Sequence, residues 1–320
     1  MTLQLQTSRV LFSQLDFDDL LCKLSPGPVA AAAPALLASL ARFGPLHPPI
    51  LRRKNNDLYQ IVTGHQRLTA LRDQLHHSAA NCLLLPSTAT EQEALAVALE
   101  EILIRRPVTA MERAAFFARI LRYQGKAEAA AAFLPLLGMN PSTFLLDQQL
   151  RLVDLEEPLA IAVQQGRLHE AVAHELLEVG FAERLALFEI IDYLQLSVGN
   201  QKKLVGICRE LAKRENCTIL HLLGNAEIRA ILDHPEANPP QKAANLLRHL
   251  TERQFPQLSA AEERFRQFTA GLHLPKGAAL NHTQSFEDDK LQLTLEFASP
   301  AALKEALPNV LAALGDKQAG

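Results

Sequence analysis

The chain has 320 residues, 48% of them hydrophobic, and its mean hydropathy is +0.01. This apolar content supports two or three packed domains and excludes a disordered protein. We find no basic segment followed by an apolar run at the start and no apolar run of roughly 20 residues, so we expect a cytoplasmic protein without a membrane partner. The net charge of −3 excludes long-range attraction of nucleic acid, so any nucleic-acid surface must be a local patch.

The cysteines are scattered along the chain, at Cys22, Cys82, Cys208 and Cys217. They form no C-x-x-C pair, and the histidines show no H-x3-H or H-E-x-x-H spacing. The sequence therefore predicts neither a disulfide framework nor a metal site, and we expect the thiols to be free and buried.

The first hundred residues predict a compact α/β unit. In chain order the patterns indicate a helix over residues 28–43, a β-hairpin with strands at 49–53 and 58–63, a helix at 66–75, a strand at 82–85 and a helix from Thr90 to about Ile104. Thr90 and Glu93 form a capping box at the start of the last helix.

Residues 109–215 are helical in period, and glycines divide them into short helices. Within this region, residues 126–137 and a helix ending at Leu152 flank a turn at 138–140, where Asn140 is the expected cap. This order predicts a helix-turn-helix. Further helices are expected at 200–215, 241–253 and 260–270, and an alternating strand at 290–297.

We therefore predict an α+β fold that is predominantly helical. The expected domains are an N-terminal α/β domain at 1–108, a helical domain with the helix-turn-helix at 109–180, a helical extension at 181–254 and a small α+β domain at 255–320.

The turn at Gly64 is the candidate anion site. A strand that ends in glycine and enters a helix presents free backbone N–H groups and the positive end of the helix dipole. Arg67 lies in the first helical turn, where a guanidinium could bind a phosphate through two hydrogen bonds. By itself such a turn is more often structural than functional.

Three short boxes occur in an order that resembles the N-terminal domain of the ParB chromosome-partitioning family and its nuclease-like and sulfiredoxin-like relatives. Residues 44–48 (GPLHP) resemble the family's G-(L/V)-(L/I)-Q-P, residues 64–70 (GHQRLTA) resemble G-E-R-R-x-R-A, and residues 101–105 (EILIR) resemble E-N-x-x-R. The helical stretch from Arg151 to Leu177 is also similar, so the resemblance covers about residues 8–180. It implies a ParB-like α/β domain followed by a DNA-binding helical domain.

The resemblance implies a pocket for CTP or another nucleotide, with or without Mg2+. Its expected nucleotide- or phosphate-binding residues are His47, Gly64, His65, Gln66, Arg67 and Arg105. His65 and Ile102 stand where the family has its metal-binding glutamate and asparagine. Since isoleucine cannot coordinate magnesium, we do not expect ParB-type CTP hydrolysis.

Two alternatives to a DNA-binding protein remain open. The chain could be a nuclease-like or kinase-like enzyme of the same superfamily acting on a phosphate-containing substrate, with His65 and Glu101 as candidate catalytic residues beside Arg67. It could also be a scaffold that keeps the fold for protein contacts. Sulfiredoxin activity is excluded because the second box contains no cysteine.

The resemblance also implies that DNA is the partner, in chromosome or plasmid partitioning or in transcription regulation, and that the protein is associated with the nucleoid. The candidate recognition helix offers Ser142, Thr143, Gln148, Gln149 and Arg151. Ordinary helical packing is the alternative, because Asp147 on the same helix repels phosphate.

A cationic stripe is expected later, on the helix at 200–215. Lys202, Arg209 and Lys213 align opposite an apolar face, as a DNA-backbone contact or as a solvated surface. The family further implies a homodimer formed through the C-terminal region.

Overall fold

A computed structural model of the chain describes residues 4–54, 57–272, 278–282, 291–296, 299, 304, 307 and 308. The strands are β1 (Gln6–Leu11), β2 (Leu15–Asp16), β3 (Ile50–Arg53), β4 (Tyr59–Ile61), β5 (Ala79–Leu84), β6 (Ala278–His282) and β7 (Leu291–Leu295). The helices are α1 (Pro34–Phe43), α2 (His65–Asp73), α3 (Glu91–Arg105), α4 (Ala110–Ile120), α5 (Lys126–Phe133), α6 (Thr143–Arg151), α7 (Glu157–Gln164), α8 (Glu170–Leu176), α9 (Phe181–Tyr193), α10 (Val198–Arg214), α11 (Ile219–Leu223), α12 (Ala226–Leu232), α13 (Pro239–Gln254) and α14 (Pro256–Gly271). The predicted fold class, α+β and predominantly helical, is confirmed. Within the described ranges, no helix is long and apolar enough to cross a membrane.

The N-terminal sheet has five strands in the order β1-β5-β3-β4-β2. The predicted hairpin is confirmed, because β3 and β4 pair antiparallel with Leu51 opposite Ile61. β3 also pairs parallel with β5, so it lies at the centre of the sheet. The sequence analysis missed the edge strands β1 and β2. In β1 only Val10 is buried, so the alternation that marks a half-buried strand is too weak to detect.

Two apolar cores hold the first 150 residues together. One lies against the sheet and packs Leu51 and Ile61 onto Leu68 and Leu71 of α2. The other extends from α3 through Phe116 and Phe117 of α4 to α6. Burying a side chain of this size contributes about 1.5–3 kcal/mol to stability. The apolar face of α2 in one core and that of α3 in the other therefore hold these two helices beside the glycine turn.

A polar network fixes the loop that follows β2. Gln60 is fully buried and donates to the Asp19 carboxylate at 3.0 and 3.1 Å. The ammonium group of Lys54 lies 2.7 Å from Asp16 and 3.0 Å from Asp19. Because these contacts satisfy a buried amide and two carboxylates, they hold the loop against β4 and bring residues 22–25 towards the glycine turn.

Prolines set several helix boundaries. α1 begins at Pro34, not near residue 28, because proline fits the first helical turn and the helix needs no earlier residue. α5 ends at Phe133 and is followed by a 3-10 turn at Pro135–Leu137, as the position of the proline predicts. The expected cap at Asn140 is wrong: Ser142 is the cap of α6, since the residue before Pro141 is biased away from helical backbone angles.

The chain divides into two compact units, residues 1–202 and 203–320. The predicted four-domain division stays a prediction. In the second unit, Leu246 and Leu250 of α13 are buried, as is Ile228 of α12. The strand expected at 290–297 is present as β7, which pairs antiparallel with β6, whereas Lys290 and Phe297 lie outside the described residues.

Candidate functional site

The strand-to-helix corner is anchored to β3. The backbone N–H of Val62 donates to the Ile50 carbonyl at 2.8 Å, and that of Ile50 donates to the Thr63 hydroxyl at 3.2 Å. Gly64 then caps α2 with a left-handed backbone (φ 88°, ψ 21°), and no side chain accepts a capping hydrogen bond there. The first-turn N–H groups of α2 are therefore available to an anion.

Glycine is required at this corner for two reasons. The positive φ disfavours any residue with a side chain. In addition, a Cβ at Gly64 would lie 2.9 Å from Cβ of Pro49 and 3.2 Å from Nη2 of Arg67. The corner thus packs directly against Pro49, the residue that follows the first box.

A cavity of about 240 Å³ opens beside this corner. Its walls come from the loop after β2, the corner, α3 and the segment that leads into α4: Cys22, Lys23, Leu24, Ser25, Val29, Ala30, Val62, Thr63, Gly64, His65, Gln66, Ala98, Glu101, Ile102, Arg105, Arg106 and Glu112. Of the predicted phosphate-binding residues, Gly64, His65, Gln66 and Arg105 line it, together with Glu101 and Ile102. The second and third boxes therefore converge on the cavity, whereas His47 of the first box and Arg67 lie outside the lining.

The charged groups of this cavity are mostly paired. Arg105 forms a salt bridge with Glu101 one turn earlier on α3, and Arg106 lies 2.7 Å from the Glu112 carboxylate. Lys23 donates to the carbonyls of Ser25 and Gly27 at 2.6 and 2.5 Å and has no carboxylate partner among the described residues. The lining thus holds three cationic side chains against two carboxylates, an excess of one positive charge that suits an anionic ligand.

His65 is largely buried and not solvent-facing. Burial, reinforced by the nearby charge of Lys23, lowers the pKa of His65 to about 4, although a hydrogen bond to the Asp19 backbone opposes the shift. The imidazole is therefore neutral at neutral pH, and contact of His65 with a phosphate stays a prediction. Its Nε2 atom is buried and has no partner among the described residues.

Arg67 connects the three boxes. Its guanidinium donates to the His47 carbonyl, and its Nη2 lies 3.6 Å from the Glu101 carboxylate. Only 12% of the Arg67 side chain is exposed, and burial lowers its pKa from the usual value. The head group is thus held inside the protein, next to the glycine corner. Direct contact of Arg67 or His47 with a phosphate stays a prediction.

Gln66 lies at the edge of the cavity. Its side chain is exposed, and its amide nitrogen donates to the Ala31 carbonyl at 3.1 Å. This contact ties α2 to the segment before α1, so the amide is partly committed before any ligand binds.

The helix-turn-helix is formed by α5 and α6. Thr143 and Gln148 are exposed on α6, Ser142 is half-buried, and Arg151 forms a salt bridge with Glu178. Gln149, in contrast, is buried and accepts a hydrogen bond from Arg113 at 2.8 Å, so it cannot reach a base edge. Residues of the candidate recognition helix are thus divided between surface and core.

The predicted cationic stripe is exposed on α10. Lys202, Arg209 and Lys213 are at the surface, whereas Leu204 and Leu211 are buried, as the helical spacing predicts. None of these three cations forms an ion pair within the described part of the chain, so their charge is available to a partner.

Three charged residues of the cavity were not predicted from the sequence: Lys23, Arg106 and Glu112. A signal for Glu112 was present, because Thr109 and Glu112 form a T-x-x-E capping box at the start of α4. Glu112 is only 2% exposed, and its pKa lies below the usual value because hydrogen bonds from Arg106 and Thr109 outweigh desolvation. Lys23 lies in a loop and gave no comparable signal.

The donors around the cavity do not fit a magnesium site. No cluster of three His, Cys, Asp or Glu residues that could hold a metal occurs in the described part of the chain. Glu101 and Glu112 are both committed to arginines, and Ile102 offers no oxygen.

Comparisons with known proteins give the following likenesses. No family model matches the chain. A nucleoid occlusion protein of Lysinibacillus sphaericus (strain C3-41) is 26% identical over 144 residues, which are 45% of this chain and 46% of the relative. The chain thus matches about half the length of this curated relative.

Among solved structures, the C-terminally truncated chromosome-partitioning protein ParB of Caulobacter crescentus, complexed to the centromeric parS site, is 18% identical with a TM-score of 0.34, over 62% of this chain and 98% of that one. The same protein complexed with CTP-gamma-S is 18% identical with a TM-score of 0.25, over 58% of this chain and 98% of that one. A Pnob8-like ParB-N domain is 16% identical with a TM-score of 0.38, over 79% of this chain and 99% of that one. The predicted resemblance to ParB proteins is confirmed.

Proposed function

We propose that this chain is a DNA-associated ParB-like protein whose N-terminal domain binds a nucleotide-type phosphate ligand beside Gly64, and that it lacks ParB-type hydrolysis. The observation that carries the proposal is the cavity at an uncapped helix N-terminus, with one excess positive charge in its lining. Backbone N–H groups at such a corner bind phosphate oxygens without any special side chain.

The side chains divide the work of binding in a way that follows from their partners. Lys23 forms no salt bridge with a described residue and interacts with Glu157 only at longer range, so its charge also acts on a ligand in the cavity. The neutral His65 donates its one N–H to the Asp19 backbone, so its Nε2 can accept a hydrogen bond from a hydroxyl or amino group of the ligand. Arg67 supports the corner from behind by holding the His47 carbonyl.

Binding is proposed to be independent of magnesium. Both carboxylates that line the cavity are paired with arginines, so neither is free to coordinate a hard cation. CTP is the first ligand to test because the three boxes resemble those of ParB, but the cavity residues do not select one base.

Isothermal titration with CTP and ATP, each with and without magnesium, tests the ligand. We expect saturable binding of a nucleotide that magnesium does not strengthen. Arg105→Gln removes one charge of the lining and is expected to weaken binding about tenfold. Arg42→Gln, an exposed arginine outside the lining, is the matched control. The absence of heat with every nucleotide under both conditions would refute the proposed pocket function.

Two observations support DNA as the partner. The chain has a helix-turn-helix, and its curated relative is named a nucleoid occlusion protein. The exposed residues Thr143, Gln148 and Arg151 and the half-buried Ser142 are proposed to face DNA, and the cations Lys202, Arg209 and Lys213 to contact phosphates. A homodimer formed through the C-terminal region remains part of this proposal, and light scattering after size exclusion measures it.

A gel-shift series at several salt concentrations tests the DNA contact. Replacing Lys202, Arg209 and Lys213 with glutamate is expected to weaken binding and to reduce the slope of log K against log salt by about 3. The control replaces Arg248, Arg264 and Arg266, exposed cations elsewhere in the chain, and changes the net charge by the same amount. Equal loss in the two variants would show a general charge effect and remove the stripe from the proposal.

The enzyme alternative receives less support from the cavity. It requires His65 to accept a proton, and a pKa of about 4 makes this imidazole a weak base at neutral pH. Release of phosphate from CTP, lost in a His65→Gln variant, would favour the enzyme over the binding protein.

A further inference from the structure

A second cavity, of about 390 Å³, lies on the other side of the loop that follows β2, within the first compact unit. The loop residues 24–27 form one wall, α4 forms the floor, and the start of α7 closes the other side. No box of the sequence analysis contributes to it.

The walls of this cavity are mainly apolar and rigid. Small residues on one face of α4, Ala115 and Ala118, leave the space open, and Met111 and Leu155 complete an aliphatic surface. Gly27 holds the loop close to α7, since a Cβ there would lie 3.1 Å from Cδ1 of Ile161. A cavity of this size and character is typical of sites for small molecules with an apolar body.

Two arginines line the cavity without a carboxylate partner, Arg119 on α4 and the exposed Arg122 just after the end of that helix. Arg119 donates through Nη1 to the carbonyls of Leu21 and Lys23 at 2.8 and 2.7 Å, and its Nε and Nη2 have no acceptor among the described residues. The Arg122 side chain, one turn later, has no hydrogen bond or ion pair with any described residue. A largely buried guanidinium without a counter-charge is costly, and a bound anion would relieve that cost.

The balance of charge indicates the class of anion. Glu157 lies at the same cavity, with Oε1 3.6 Å from the position of a Cβ at Gly27, and it has no salt bridge among the described residues. Two arginines against one carboxylate leave one excess positive charge. A monovalent carboxylate balances that charge and matches the fork geometry of a guanidinium, whereas a phosphate carries too much charge for apolar walls.

We propose that this cavity binds a small aliphatic carboxylate, with Arg119 and Arg122 holding the carboxylate group and the apolar wall of α4 holding the hydrocarbon body. The proposal does not depend on nucleotide binding, and it is tested in nucleotide-free protein. Two sources of such a carboxylate are distinguishable: a simple branched acid, and an α-amino acid whose ammonium group contacts Glu157.

The test titrates the full chain with 4-methylpentanoate, leucine and the neutral 4-methylpentanamide, followed by saturation-transfer NMR and calorimetry. We expect saturable binding of a carboxylate and at least tenfold weaker binding of the amide, because a charge-assisted hydrogen bond is lost. Tighter binding of leucine assigns the site to amino acids, and tighter binding of 4-methylpentanoate assigns it to simple acids.

Variants separate the two parts of the site. Arg122→Gln is expected to weaken binding about tenfold or more, and Arg229→Gln, an exposed arginine outside the cavity, to leave it unchanged. Ala115→Leu fills the cavity and is expected to abolish binding, whereas Ala127→Leu on the exposed face of α5 is its control. If Ala115→Leu does not fold, Ala118→Leu replaces it.

Three results would overturn the proposal. They are the absence of saturable binding by either carboxylate, equal binding of the amide, and unchanged binding in both Arg122→Gln and the folded cavity-filling variant. Binding only of a protein partner, with no response to either small carboxylate, would likewise assign the cavity to a docking surface.

Discussion

Replacing Gly64 with alanine tests the requirement on which the candidate nucleotide pocket depends. Two costs add at this position. A side chain at a left-handed backbone angle costs about 1–2 kcal/mol. The new Cβ would also lie 2.9 Å from Cβ of Pro49, and relieving such overpacking costs about 1–3 kcal/mol. We therefore expect Gly64→Ala to lower the free energy of unfolding by about 2–5 kcal/mol.

A matched control isolates the steric part of this cost. Gly138 has a similar positive φ of 72°, but a Cβ there meets nothing within 4 Å. Gly138→Ala should therefore lower the free energy of unfolding only by the cost of the backbone angle, about 1–2 kcal/mol. Adding Pro49→Ala to Gly64→Ala should restore part of the free energy lost to the steric clash, and a double-mutant cycle measures this coupling.

Tyrosine fluorescence during urea unfolding is a suitable assay. The chain has no tryptophan, and its tyrosines, Tyr59, Tyr123 and Tyr193, all lie in the first compact unit. The signal therefore follows the unit that contains the glycine corner. If Gly64→Ala and Gly138→Ala lower the free energy of unfolding by the same amount within about 0.5 kcal/mol, the close approach of Pro49 is not the reason for glycine at position 64.

Three further predictions concern titratable groups. The pKa of Glu112 is lowered, so the stability that this carboxylate contributes is present above the ordinary value of 4.5 and is lost as the pH falls through the lowered pKa. Glu112→Gln should reduce this loss of stability in acid and, because Arg106 is half-exposed, should lower the free energy of unfolding by only about 1–3 kcal/mol at pH 7. Urea unfolding at several pH values measures both effects. The pKa of His65 is lowered from 6.5 to about 4, so between these pH values the imidazole is protonated in the unfolded chain but not in the folded one. The free energy of unfolding should therefore fall by roughly 3 kcal/mol as the pH drops through that range, and His65→Gln should remove this loss. An imidazole signal of His65 that titrates near pH 6.5 in NMR would contradict the burial argument. Burial raises the thiol pKa of Cys22 and of Cys208 to about 12, so iodoacetamide should alkylate the half-buried Cys217 of the native protein first. Mass spectrometry that shows Cys22 or Cys208 modified first would refute that order.

Local sequence patterns determined most of the elements around the glycine corner. The hairpin, the helix after Gly64 and the capping box of Thr90 and Glu93 were all predictable, because turn residues, alternation and capping act over a few neighbours. The order of the boxes was equally local information. It also indicated the resemblance to ParB that the curated relative bears out.

Only the tertiary structure decided which charges remain available to a ligand. Arg67 sits beside the corner but is turned onto the His47 carbonyl, and His65 is neutral because burial lowers its pKa. Lys23 and Glu112 join the cavity from distant parts of the chain. Desolvation and pairing depend on every atom packed around a group, and no short stretch of sequence contains that information.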